Sequence, residues 1–107
     1  MTYVTLERYY DTYIFRCVGH SGFSSTGGDI VCSAVSVLCY TLDDYLTRAS
    51  LEGKIRDYTK DFSSGNVSME FQPVNESDTG VIEGMEAILG GFALLSESFP
   101  EYVNAEL

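Results

Sequence analysis

Polar and apolar residues alternate from Tyr3 to Tyr9, and Thr12 to Gly19 is a second run rich in β-forming side chains. Together they predict two strands joined at Tyr10-Asp11. The pattern lapses between His20 and Gly28, where three glycines and three serines surround one phenylalanine, which is loop chemistry. From Asp29 onward the period changes to that of a helix. Val31, Val35, Leu38, Leu42, Tyr45, Leu46 and Ala49 share one side, and Tyr40, Thr41, Asp44, Thr47 and Arg48 the other. Asp29 is the expected N-cap, which puts Cys32 at the third helical position, and Gly53 closes the helix. Cys32 and Ser36 fall on the border between the two sides, where a residue can root its backbone in the core and point its side chain into a groove.

Lys54 to Phe62 and Val67 to Val74 read as strands of a hairpin around Ser63-Ser64-Gly65-Asn66. A second helix is predicted from Gly80 to Ser98, with Val81, Met85, Ile88, Leu89, Phe92 and Leu95 on one face and Glu83 and Glu86 near its positive end. Gly84, Gly90 and Gly91 cost it helix propensity, so they are expected to permit close approach of another helix or of a second subunit. Pro100 ends it, and Tyr102 to Leu107 suggests a short last strand. The order ββαββα(β) implies a single α+β domain over residues 1–107, a mainly antiparallel sheet with two helices on one face. The far face is left to water or a partner.

With 45% hydrophobic and 13% aromatic residues the chain of 107 is a folded one, and no apolar run reaches the roughly 18 to 20 residues of a membrane span. Neither a basic start nor an apolar stretch marks the N-terminus as a signal peptide, so the expected place is the cytoplasm, with no membrane partner. Cys17, Cys32 and Cys39 form an odd set without a C-x-x-C pair, which suggests free thiols. One histidine and scattered acids are too few ligands for a metal, and neither metal nor cofactor is expected. The net charge is −10, and all six Lys and Arg lie at or before Lys60. Direct nucleic-acid binding is therefore unfavourable, whereas a basic protein would be attracted.

The candidate chemistry lies between His20, the only histidine, and Cys32, twelve residues later. A thiolate is the reactive form of cysteine, and a helix N-terminus or a neighbouring imidazole favours it. Both devices are in reach of Cys32 if the helix starts at Asp29. Unpaired backbone N–H groups at that start would hold an oxyanion. Thr26-Gly27-Gly28-Asp29 also hints at a phosphate loop, but no lysine stands where a Walker loop needs one and Asp29 would repel phosphate.

Gly19-His20, then a loop, then Gly28-Asp29-Ile30-Val31-Cys32-Ser33-Ala34-Val35-Ser36-Val37-Leu38 resembles the G-H…G-x-D-I-V-C-A-A-V-S-x-L signature of the ribosomal-processing cysteine proteases, the Prp family. Val81 to Leu89 and the ending Phe99-Pro100-Glu101-Tyr102-Val103 resemble that family's second helix and tail. Ser21 and Ser33 stand where alanine is frequent. The resemblance implies a homodimeric cysteine endopeptidase with a dyad of Cys32 and His20. Its substrate would be the N-terminal extension of large-subunit ribosomal protein number twenty-seven. It also implies a gating loop at Ser21, Gly22, Phe23, Ser24, Ser25, Thr26, Gly27 and Gly28. Asp29 is expected to fix the turn before the nucleophile and Ser36 to hydrogen-bond the dyad or the substrate. The rival classes are a non-enzymatic acidic module docking a basic ribosomal or assembly protein, and a thiol redox sensor.

Overall fold

The alternation at the start of the chain resolves into β1 (Thr2–Tyr9) and β2 (Thr12–Val18), an antiparallel pair in which Val4 faces Cys17 and Leu6 faces Phe15. The computed structural model describes residues 1–19 and 26–107, with residues 26–29 described by their backbone course alone. Then follow α1 (Thr26–Leu51), β3 (Ile55–Ser63), β4 (Asn66–Pro73), α2 (Gly80–Ser98) and β5 (Val103–Glu106). The expected order holds throughout, terminal strand included. The sheet runs β3-β4-β2-β1-β5, antiparallel except where β5 lies parallel to β1.

Registers show why one face is buried. Val4, Phe15, Cys17, Met69 and Phe71 point the same way and are buried, as are Val31, Leu42 and Leu46 of α1 and Met85, Leu89 and Phe92 of α2. Both helices cover that face, and the core lies between the two layers. At roughly 1.5 to 3 kcal/mol for each fully buried large apolar side chain, this layer is the main source of stability. Across the sheet, Tyr3, Glu7, Arg16, Val18 and Glu70 are exposed. Contrary to the expectation from unbroken apolar runs, residues Ile30–Leu51 are long and apolar enough by composition to cross a membrane. Here their apolar side packs on the sheet, and Asp43 is ion-paired to Lys60.

Contacts between the helices explain two of the four α2 glycines. A Cβ on Gly84 would overlap the Tyr45 hydroxyl, which donates to the Val81 carbonyl at 2.9 Å, and a Cβ on Gly91 would lie 2.7 Å from Leu38. Gly90 faces open space. At the end of α1 the Lys54 N–H bonds the Ala49 carbonyl and the Gly53 N–H the Ser50 carbonyl, a Schellman closure with Gly53 at φ +73°.

One boundary departs from expectation. α1 begins at Thr26, three residues ahead of Asp29, so Asp29 lies inside the helix and is not its N-cap. Thr26, Gly27 and Gly28, expected in the gating loop, are its first residues. Each helical glycine costs about 1 kcal/mol against alanine, but adding a turn to a nucleated helix avoids the much larger cost of nucleation. The rest of this 26-residue helix supplies the nucleus.

Candidate active site

Cys32 rides on α1, one turn ahead of Ser36, and both side chains are exposed. They line a cavity of about 360 Å³. Val35, Cys39 and Tyr40 continue the α1 wall, and Phe62, Ser63, Ser64, Gly65, Asn66 and Val67 of the β3–β4 hairpin form the opposite one. Thr2, Cys17 and Gly19 complete the lining where β1 begins and β2 ends.

Gly19 is held there by its own backbone. Its φ is +107°, and a Cβ would overlap the Met1 carbonyl, so only glycine suits the position. Its N–H donates to the Gly65 carbonyl at 2.8 Å, which ties the end of β2 to the tip of the hairpin wall. His20 follows Gly19 in the chain. His20 and Ser21 to Ser25 lie outside the described residues, as does the side chain of Asp29, so the dyad pairing and the loop assignment for 21–25 lie there too.

The three thiols separate by depth. Cys32 is exposed, whereas Cys17 and Cys39 are 5% and 3% exposed and belong to the core. A hydrogen bond to Cys17, then burial, pushes the Cys39 thiol far above its ordinary range. That shift favours the protonated thiol of Cys39, which lies at the back of the cleft.

Moving the helix start changes the electrostatic argument for Cys32. Counted from Thr26 it is the seventh helical residue, not the third. Only the first four N–H groups of a helix lack internal partners, and the field of the helix end fades within its first turn. The Cys32 N–H is therefore not one of the unpaired donors, and the oxyanion role expected of the helix start does not fall at Cys32. What the fold gives the residue is access: an exposed sulfur facing a walled cleft.

Sequence patterning singled out Cys32 and Ser36 and missed the opposite wall. Residues 63–66 were legible only as a turn, and Tyr40 only as a polar-side residue of a helix. Yet the Tyr40 ring stacks on Phe62, centroids 5.2 Å apart and planes 24° from parallel. Such a pair joins two elements far apart in the chain, and only the sheet order that sets β3 beside α1 could disclose it.

Among the described residues no cluster of His, Cys, Asp and Glu could hold a metal ion. An exposed thiol in a peptide-sized cleft, with the only histidine of the sequence following one residue that lines it, fits acyl transfer through sulfur.

Comparison with known proteins points the same way. The fold matches SMU.848 from Streptococcus mutans with a TM-score of 0.69 and 30% identity, over 99% of this chain and 92% of that one. It also matches the essential ribosomal processing protease Prp from S. aureus, in complex with a covalently linked product peptide. There the TM-score is 0.67 and the identity 15%, over 99% and 98% of the two chains. The substrate-peptide complex of the same protease gives a TM-score of 0.66 at 14% identity, with 99% and 98% covered. No curated protein matches the chain significantly. The sequence profile of the family described as cysteine protease Prp matches residues 1–104, and the chain therefore belongs to that family of cysteine proteases.

Proposed function

We propose that this chain is an endopeptidase in which Cys32 is the nucleophile and His20 its base, and that it removes the N-terminal extension of large-subunit ribosomal protein number twenty-seven. The observation that carries this reading is that Cys32 is exposed in the cleft while Cys17 and Cys39, at its back, are almost fully buried. The structurally similar S. aureus protein is a ribosomal processing protease with peptide bound, which supports an extended peptide as the occupant of the cleft.

The reaction is acyl transfer. The Cys32 sulfur attacks the scissile carbonyl as His20 takes the thiol proton; His20 then protonates the departing amine, and water hydrolyses the thioester. Ser36 lines the same wall one turn from Cys32, which supports a role in hydrogen-bonding the dyad or the substrate. No cofactor is required by this chemistry. Free thiols fit a reducing cytoplasm, where the enzyme acts as a homodimer.

Incubation with the extended ribosomal protein, followed by mass determination, tests the assignment. One cut near the N-terminus, leaving the remainder intact, is expected. A substrate that keeps its full mass with active, folded enzyme overturns it.

A further inference from the structure

β3 is an edge strand, and its register against β4 slips between Arg56 and Thr59, where Asp57 adopts φ +54°. Sheet pairing alone thus holds the strand loosely along one half. Its other half ends in the hairpin wall of the Cys32 cleft. Tyr58, Lys60 and Phe62 alternate along β3, and Tyr40, Asp43 and Thr47 recur at helical spacing on α1, so two matching rows face each other. Asp43 is the hub. Its carboxylate accepts from the Tyr58 hydroxyl at 2.8 Å, from the Lys60 ammonium at 2.9 Å on both oxygens, and from Thr47 at 3.2 Å. The carboxylate side chain is only 18% exposed. The next step along each row is the Tyr40–Phe62 stack, and both of those rings line the cleft.

We propose that Asp43 is a positioning residue, which through Lys60 and Tyr58 clamps β3 to α1 and so sets the distance of the Phe62–Val67 wall from Cys32. Substrate grip, rather than bond-breaking, depends on that distance, since Phe62 to Val67 line the cleft and Asp43 does not. The functional half of this inference rests on the peptidase assignment above; the structural half does not.

The test is a pair of measurements on Asp43→Ala and Lys60→Ala, with Arg48→Ala as control, because the Arg48 guanidinium is exposed and pairs with Asp44 within α1. With a synthetic peptide copying the ribosomal extension, both clamp variants should raise KM about tenfold and leave kcat within about twofold of wild type. Asp43→Glu, which keeps the charge, should recover most of the loss, and Arg48→Ala should change neither constant. Amide hydrogen exchange over residues 61–66 should speed up in both clamp variants and not in the control. Unchanged KM in folded clamp variants, or unchanged exchange over 61–66, overturns the proposal. Should Asp43→Ala fail to fold, Lys60→Ala decides, since its side chain is 48% exposed. Should wild-type enzyme leave the peptide intact, the peptidase assignment fails and the exchange measurement decides the clamp.

Discussion

Cys32 and Cys39 lie seven residues apart on one helix, and their different fates come from depth rather than from distance to the helix end. At 1.5 Å per residue they are about 10 Å apart along the axis. With α1 starting at Thr26, neither sits in the first turn. Exposure then decides reactivity, and limiting iodoacetamide near pH 7 is expected to label Cys32 first, with Cys17 and Cys39 reacting only on unfolding. Peptide mapping that finds Cys39 modified as fast as Cys32 in folded protein would contradict this. The sequence made the exposed thiol on α1 legible through its border position, because a helical wheel reports which side a residue faces. It did not disclose the N-terminal boundary of α1. Gly27 and Gly28 look like loop by composition, and their modest helical cost is outweighed only in the context of the long helix that follows.

Elements are placed by side chains that the sequence pattern states well and by contacts that it states poorly. The hairpins, both apolar helix faces and even the last strand follow from periodicity, since each element buries one face. Close approach of α2 to α1 was also foreseeable from its glycines, though not which glycine serves it. Gly84→Ala forces a Cβ into Tyr45, whose hydroxyl is held by Val81, and should destabilise by about 1 to 3 kcal/mol. Gly90→Ala meets nothing and should gain up to about 1 kcal/mol of helix propensity. Urea unfolding midpoints of the two variants should move in opposite directions, and a parallel shift would count against this packing. The α1–β3 clamp carries a pH signature. Burial pushes the Asp43 carboxyl up, but hydrogen bonds from Lys60 and Tyr58, the Lys60 charge and Thr47 together hold it below the ordinary carboxylate value. A group with a lowered folded pKa stabilises fully above its unfolded value near 4 and loses that contribution as pH falls through the folded one. The stability gap between wild type and Asp43→Asn should therefore be constant from pH 6 to about 5 and shrink below about 4. A gap that stays constant down to pH 2 would show that the carboxylate is not what the clamp uses.

For the molecule as a whole, the net charge of −10, with every base at or before Lys60, bears on the encounter with substrate. Residues 61–107 carry nine acids and no base, so a basic protein is attracted from a distance. Screening acts over about 10 Å at 0.1 M salt, so kcat/KM for a basic substrate should fall as salt rises while a neutral peptide is unaffected. A flat profile for both would reduce the acidity to a matter of solubility. The proposed function reduces to one claim, that Cys32 and His20 together break a peptide bond. Cleavage of the extended ribosomal peptide by Cys32→Ala and His20→Ala, each checked for a wild-type melting curve, tests it most directly. Loss of cleavage in both folded variants is the predicted result, and full activity in either one contradicts the dyad.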